Sequence, residues 1–118
     1  MAITPQSAKA KGRRHQQFVR EKILALFPKK LLPDDVRSTS MGAGGEDIQL
    51  SPAARRLFNY SVECKAYKSF AIYKVVDQAK ENCPSGAEPM VVIKADHKKP
   101  LVVLDADHFF KLLRKING

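Results

Sequence analysis

Apolar residues recur along the chain with two different spacings, one typical of helices and one typical of buried strands. Spacings of three and four residues predict helices over 13–27 and 69–81 and a last helix over 105–115. Short runs rich in β-branched, aliphatic or aromatic residues predict strands. The predicted strands cover 36–39, 46–50, 57–66, 90–93 and 101–104. Pro28 ends the first helix, because a proline inside a helix removes a hydrogen bond and clashes with the preceding turn.

These elements follow one another in the order α-β-β-β-α-β-β-α. That order predicts an α/β fold in which a mixed central sheet is flanked by helices, within a single domain over 13–118. Lys98-Lys99-Pro100 separates the last two strands and predicts a hairpin or a tight loop there. Ser51–Arg56 is expected to form a turn or a single helical turn. Residues 1–12 are small, polar and basic, and we interpret them as a flexible N-terminal arm.

Positive charge is concentrated at one end of the sequence. The 118 residues carry a net charge of +9, and the first 30 residues hold eight basic side chains against the single acid Glu21. A small domain this basic usually has a polyanionic partner, and an excess this concentrated favours nucleic-acid phosphate. A basic run also occurs as a solvated, solubilising face, so the charge indicates a partner class without indicating a reaction.

Composition argues against several classes of protein. Hydrophobic residues make up 44% and charged residues 28%, which is typical of a globular domain and not of a disordered chain. No apolar run approaches the roughly 20 residues that span a bilayer, and the first residues lack the apolar centre of a secretion signal. Cys64 and Cys83 are too few for a disulfide framework or a four-ligand zinc site. We therefore expect a cytoplasmic protein with no membrane partner.

Three residues form a candidate catalytic group. Glu63 and Lys65 lie in one predicted strand, where side chains alternate, so both are expected on one face with Cys64 on the other. Asp47 lies on the preceding predicted strand, 46–50. It is the last residue of the glycine-rich segment SMGAGGED (Ser40–Asp47), which leads into that strand. If the two strands pair as a hairpin, Asp47 and Glu63 converge. A Glu/Lys pair on an exposed strand face is a common alternative with no catalytic meaning.

Two carboxylates at one place repel each other, and a divalent cation removes that cost. Mg²⁺ prefers hard oxygen ligands, takes one or two carboxylates, and also binds phosphate oxygens. A lysine beside such an ion can polarise the attacking water or stabilise charge that develops on the phosphate. The three residues together with a divalent cation are therefore sufficient in principle to hydrolyse a phosphodiester.

The same residues resemble the PD-(D/E)xK nuclease superfamily, and within it the small phage and archaeal Holliday junction resolvase-like branch. The resemblance is carried by four segments and covers roughly Arg13–Leu113. The segments are GGEDIQLS (Gly44–Ser51), VECK (Val62–Lys65), Gln78-Ala79 and MVVIK (Met90–Lys94). It implies a restriction-endonuclease-like core in which a mixed sheet lies between helices.

The resemblance also implies roles for individual residues. Asp47 and Glu63 would bind Mg²⁺ or Mn²⁺, the backbone carbonyl of Cys64 would be a further ligand, and Lys65 would assist hydrolysis. Glu21 occupies the place of an acid that some members bring to the metal from the first helix, although a solvent-facing helix acid is an equal alternative. Gln78 matches a glutamine that many members use, with a surface glutamine as the alternative.

One residue departs from the superfamily pattern. Glu46 stands before Asp47 where many members have proline, and strand alternation turns Glu46 away from Asp47. Seven polar or basic residues are candidate DNA contacts, with solvation by water as the alternative for each. They are Lys11, Arg13, Arg14, Ser40, Arg55, Arg56 and Lys68. The three histidines have no metal-ligand spacing and are expected at the surface or in loops.

The sequence therefore predicts a Mg²⁺-dependent DNA endonuclease acting on branched DNA such as a Holliday junction. The resemblance implies a homodimer with two active sites, and apolar surface on the last helix or an edge strand is the expected interface. A nicking or restriction-type nuclease of the same fold remains an alternative. A non-catalytic nucleic-acid-binding module and a basic, ribosome-associated interaction protein are two others.

Overall fold

The computed structural model describes residues 4–39 and 45–118. Within these ranges it contains four α-helices and five strands. In chain order they are α1 (Pro5–Leu26), β1 (Val36–Ser38), β2 (Ile48–Leu50), α2 (Pro52–Leu57), β3 (Tyr60–Tyr67), α3 (Ile72–Glu81), β4 (Glu88–Ala95), β5 (Leu101–Val103) and α4 (Ala106–Asn117). Each predicted helix and strand is present, and the predicted turn after β2 is the short helix α2. None of the helices in the described ranges has the length and apolar character needed to cross a bilayer.

The first helix begins well before its predicted start. Thr4 caps it, because the Thr4 hydroxyl oxygen accepts the backbone N–H of Ser7 at 3.1 Å, and Pro5 occupies the first turn. Proline suits that position, since its φ is already helical and its missing N–H would have no partner there. The expectation of a flexible arm over 1–12 is therefore wrong from Pro5 onward, and residues 1–3 lie outside the described ranges.

A three-stranded mixed sheet in the order β3-β4-β5 forms the centre of the fold. β3 and β4 are parallel, with α3 as the connection between them, and β4 and β5 form the predicted antiparallel hairpin. β2 pairs with β1, not with β3, so the conditional hairpin between β2 and β3 is not formed. The helix α2 lies between those two strands in the sequence, so no tight turn joins them.

The two faces of the sheet carry two apolar clusters. On one face, α1 packs against a cluster that includes Val36 and Ile48, both 0% exposed, together with Cys64. On the other face, Val75 and Ala79 of α3 pack against β4. Because strand side chains alternate, Cys64 faces α1 while its neighbours in the chain face α3, as the sequence predicts.

His15 is an exception to the expectation of surface histidines. It is 5% exposed, and its Nε2–H donates to the carbonyl oxygen of Val92 at 2.7 Å. Burial lowers the pKa of His15, so the ring is neutral near pH 7 and joins α1 to β4 without carrying charge.

The last helix contributes less to the core than its pattern suggests. α4 has no buried residue, and its apolar side chains Phe109, Phe110 and Ile116 are exposed. Polar contacts attach it instead: Tyr60 Oη lies 2.7 Å from His108 Nε2, and Lys80 Nζ lies 3.4 Å from Asp105 Oδ1. Asp105 makes no side-chain capping bond to the helix.

Truncation of a core side chain tests this packing. Ile48→Ala should lower the free energy of unfolding by about 2–5 kcal/mol. The side chain is 0% exposed, so its truncation removes buried apolar contacts and leaves a cavity. The matched change Ile72→Ala, at a side chain that is 36% exposed, should cost about 1 kcal/mol or less. Urea denaturation measures both, and equal losses would contradict the assigned core.

Candidate active site

Asp47 joins the two sheets at the outer edge of β3. Its backbone N–H donates to the Val62 carbonyl at 3.2 Å, and its backbone carbonyl accepts the Thr39 N–H at 2.8 Å. Its carboxylate Oδ2 accepts the Cys64 N–H at 2.7 Å. β3 pairs with β4 on one side only, so its backbone groups on the other side need partners. Asp47 supplies them with both backbone and side chain.

Glu63 and Lys65 lie on the α3 face of β3, as the alternation predicts. Glu63 is 3% exposed, and its Oε2 accepts a hydrogen bond from Asn82 Nδ2 at 3.3 Å. Lys65 Nζ lies 3.5 Å from Glu63 Oε1. Asp47 is close enough for its charge to act on both side chains. The structure therefore brings the three predicted catalytic residues together.

The charges within this group are unbalanced. Burial raises the pKa of Glu63, and the neighbouring carboxylate of Asp47 raises it further, against the opposing effects of Asn82 and Lys65. For Lys65, burial alone would lower the pKa, but Tyr67, Glu63 and Asp47 together raise it above its usual value. Lys65 therefore stays protonated at neutral pH, and its single charge does not offset the cost of holding two carboxylates there.

These side chains line one cavity of about 540 Å³ at the free edge of β3. α1 bounds it on one side and α3 on the other, so the cavity is open to solvent between the two helices. The lining side chains outside β3 are Ala8, Lys9, Gly12, Gln16, Gly45, Asp47, Gln78 and Asn82. Gln78 therefore lies at the predicted site.

Three polar residues of this cavity, Lys9, Gln16 and Asn82, were not predicted as site residues from the sequence. Gln16 is 4% exposed, and its Oε1 accepts the Ser38 hydroxyl at 2.5 Å. The spacing of Gly12, Gln16 and Val19 places Gln16 on the inward face of α1, and Asn82 follows Gln78 by one helical turn. These spacings are visible in the sequence, but they identify site residues only when the inward face of each helix is known.

Glu21 is not brought to the site. It is exposed on α1 and absent from the cavity lining. It follows Gln16 by five residues, which rotates it by about 140° around the helix and moves it about 7.5 Å along the axis. The structure therefore does not bring Glu21 to the other predicted site residues, and its exposure matches the alternative of a solvent-facing acid.

The predicted DNA contacts have different surroundings. Arg55 binds both carboxylate oxygens of Glu46, at 2.8 and 2.9 Å, and also donates to the Tyr60 carbonyl at 3.0 Å. The charge of Arg55 is thus paired within the fold. Lys11 forms an ion pair with Asp96. The side chains of Arg13, Arg14, Arg56 and Lys68 are exposed, and Ser40 lies outside the described ranges.

The donor set fits a Mg²⁺ ion held by two carboxylates. Within 4–39 and 45–118, no group of three or more His, Cys, Asp or Glu side chains is arranged to hold a metal. Mg²⁺ is commonly bound by only one or two carboxylates together with water and substrate oxygens. Asp47 and Glu63 supply those carboxylates, and a positive ion between them offsets the repulsion that raises the pKa of Glu63.

Cys64 has a backbone role at most in such a site. Its thiol is buried against α1, and burial raises its pKa strongly, so it stays neutral. Its N–H already reaches Asp47 at the free edge of β3. Because the N–H and C=O of one strand residue point to the same edge, the Cys64 carbonyl faces this edge too.

Comparison of the chain with family models, with curated proteins and with solved structures gives no match.

A thermal-shift experiment tests the metal site independently of activity. Mg²⁺ at about one hundred times its Kd should stabilise the wild type by about 2.7 kcal/mol, which raises Tm by about 10 °C. Glu63→Gln should lose most of this rise, because it removes one of the two carboxylates. Its metal-free Tm should exceed that of the wild type, since the buried negative charge is gone.

The matched control is Glu81→Gln, which removes an exposed carboxylate at the end of α3. This variant should keep the full Mg²⁺-dependent rise in Tm. If Mg²⁺ shifts the Tm of Glu63→Gln as much as that of the wild type, Glu63 is not a ligand.

Proposed function

We propose that this protein is a metal-dependent DNA endonuclease of the PD-(D/E)xK type. The observation that carries the proposal is the convergence of Asp47, Glu63 and Lys65 in one cavity at the edge of β3. Asp47 is far from the other two in the sequence and lies on a different element, so their meeting is a property of the fold. A carboxylate whose pKa is raised by burial and then by a second carboxylate is more typical of a functional site than of a surface ion pair.

The fold is compatible with the proposed nuclease core. Asp47, the residue before β2, hydrogen-bonds to the free edge of β3 and so connects the β1–β2 sheet to the mixed sheet. The resulting order along the chain is the α-β-β-β-α-β-β-α order expected for a restriction-endonuclease-like domain, with α2 added. We propose this core topology together with the function.

The chemistry assigns one role to each residue. Asp47 and Glu63 would hold Mg²⁺ or Mn²⁺, with the Cys64 carbonyl facing the same edge. When bound, that ion supplies Lewis-acid stabilisation of phosphate charge and lowers the pKa of water. Lys65, whose Nζ lies 3.5 Å from Glu63 Oε1, would donate to a phosphate oxygen as negative charge develops there.

The remaining polar residues of the cavity position these groups. Asn82 holds one oxygen of Glu63, which fixes the direction of the other. Gln16 and Gln78 offer amide groups from opposite walls of the cavity. They are suited to orient water or a DNA phosphate by hydrogen bonds.

Charge supports DNA as the substrate. α1 bounds the cavity and belongs to the most basic part of the chain, with Lys9 in the cavity lining and Arg13 exposed beside it. Basic residues next to a phosphate-hydrolysing group attract a polyanion and align its backbone. We therefore expect binding that weakens steeply with salt.

We further propose that the substrate is branched DNA, such as a four-way junction, cleaved by a homodimer. A two-fold dimer presents two active sites to a substrate with two equivalent strands. The exposed apolar side chains of α4 and of the β5 edge are available for the interface. They are Leu101, Val102, Phe109, Phe110 and Ile116.

Cleavage of matched DNA substrates tests the proposal. With Mg²⁺, the wild type should cut a labelled four-way junction faster than a linear duplex of the same sequence, and a chelator should abolish cutting. Lys65→Met should reduce the cleavage rate by about 100-fold or more, because it removes the charge that stabilises the phosphate oxygen. Its junction Kd should stay within a few-fold of the wild type.

Lys74→Met is the control, since Lys74 is an exposed lysine on α3 outside the cavity lining. It should cut at the wild-type rate. Binding of junction DNA without any Mg²⁺-dependent cutting would instead indicate a non-catalytic binding module. Equal cutting of junction and duplex would overturn the branched-DNA part of the proposal alone.

A further inference from the structure

A second cavity, of about 650 Å³, lies on the opposite side of α1 from the candidate active site. We name it the Arg14 pocket. It is formed by one face of α1, the end of β3 and the turn between β4 and β5. Its lining residues are Lys11, Arg14, His15, Phe18, Ala66, Lys94, Asp96, His97 and Pro100. Its volume falls in the range of about 300–1,000 Å³ that is typical of ligand pockets.

The two cavities are neighbours. Ala66 lines both, and α1 contributes Lys9, Gly12 and Gln16 to one and Lys11, Arg14 and Phe18 to the other. The helix thus forms the wall between them, and they meet at the carboxyl end of β3. A DNA strand with one phosphate in the active site would therefore bring its neighbouring nucleotides to the Arg14 pocket.

One part of this pocket is suited to a phosphate. Lys11 forms an ion pair with Asp96, which fixes α1 against the end of β4 and neutralises one positive charge. Arg14 and Lys94 have no carboxylate within ion-pair distance among the described residues. The Lys94 ammonium donates one hydrogen bond to the Ala95 carbonyl and has further donors. The pocket is therefore net positive.

The other part of the pocket presents the aromatic ring of Phe18, which the Lys22 ammonium also approaches, 5.5 Å from the ring centroid. Phe18 is 38% exposed, and its ring is nearly parallel to that of buried His15, with 11° between the planes and 6.5 Å between the centroids. Pro100 and Ala66 add apolar surface. A phosphate alone would make no contact with this aromatic and apolar surface. A nucleobase of any identity can stack on an aromatic ring.

We propose that the Arg14 pocket binds one unpaired nucleotide of the DNA beside the phosphate that is cleaved, with its phosphate against Arg14 and Lys94 and its base against Phe18. This inference rests on the proposed nuclease function and narrows its substrate. A paired and stacked base does not present its face to a protein side chain, so an occupied pocket requires a nucleotide that has left the duplex. Branch points and single-stranded segments supply such nucleotides more readily than intact duplex.

DNA binding without metal tests the pocket separately from catalysis. With EDTA, the affinities of a labelled single-stranded oligonucleotide and of a duplex of the same sequence are measured by fluorescence anisotropy. Phe18→Ala should weaken binding of the single strand about tenfold, the loss of one stacked base, with little effect on the duplex. Phe18→Leu keeps an apolar side chain in place and should show the same selective loss.

Removal of charge has a different expected signature. Arg14→Gln should weaken binding of the single strand and reduce its slope of log K against log salt by about 0.7, with a smaller effect on the duplex, which places no nucleotide in the pocket. The matched controls are Tyr73→Ala, an aromatic side chain that is 86% exposed on α3, and Arg114→Gln, an exposed arginine on α4. Both controls should bind as the wild type does.

The outcomes separate the two proposals. If both Phe18 variants remain folded by circular dichroism and bind the single strand as the wild type does, the pocket proposal is overturned while the nuclease proposal stands. The pocket proposal is also overturned if the wild type binds no single-stranded DNA. If the selective loss is found but no DNA is cut with Mg²⁺, the pocket is supported and the nuclease proposal fails.

Discussion

The hydrogen bond from the Cys64 backbone N–H to the Asp47 carboxylate is the contact on which the candidate site depends. It gives a backbone N–H at the free edge of β3 a partner. It also places the negative charge of Asp47, the residue before β2, beside the strand that carries Glu63. A buried N–H left without a partner costs about 1–3 kcal/mol, so the fold itself favours keeping Asp47 in place. The carboxylate of Asp47 therefore holds the fold at the place where the proposed chemistry requires it.

The same contact explains the electrostatic state of the cavity. Because Asp47 is fixed by β3, it cannot move away from Glu63, whose pKa rises in response to burial and to that charge. Lys65 and Asn82 reduce the cost but do not remove it. Such a site favours a positively charged ligand, and a substrate that is itself a polyanion brings no positive charge. A divalent cation is the simplest species that supplies the positive charge and also binds the phosphate oxygens of such a substrate.

The local patterns predicted most of the fold, because each element's sequence is consistent with its final environment. Strand alternation placed Glu63 and Lys65 opposite Cys64, and proline and glycine marked most boundaries correctly. The start of α1 was missed, because a basic and polar segment resembles an arm until Thr4 is seen to cap it. The pairing of β2 was missed because partner choice depends on long-range contacts that no local pattern contains.

The site shows the same division between local and long-range information. Asp47, Glu63, Lys65 and Gln78 were found because short motifs carried them. Gln16 and Asn82 lie at helix positions whose inward faces are set by packing, and the same packing sets the rotation of α1 that leaves Glu21 outside the cavity.

The central claim is that one divalent cation binds between Asp47 and Glu63 at the edge of β3. Mn²⁺, which broadens nearby NMR signals, reports the position of such an ion directly when it is titrated into ¹⁵N-labelled protein. We expect the amide signals of Cys64 and Asn82 to broaden at low Mn²⁺ while those of α4 stay sharp, and we expect Asp47→Asn to abolish this selectivity. Broadening centred elsewhere, or uniform broadening that Asp47→Asn leaves unchanged, would contradict the proposed metal site.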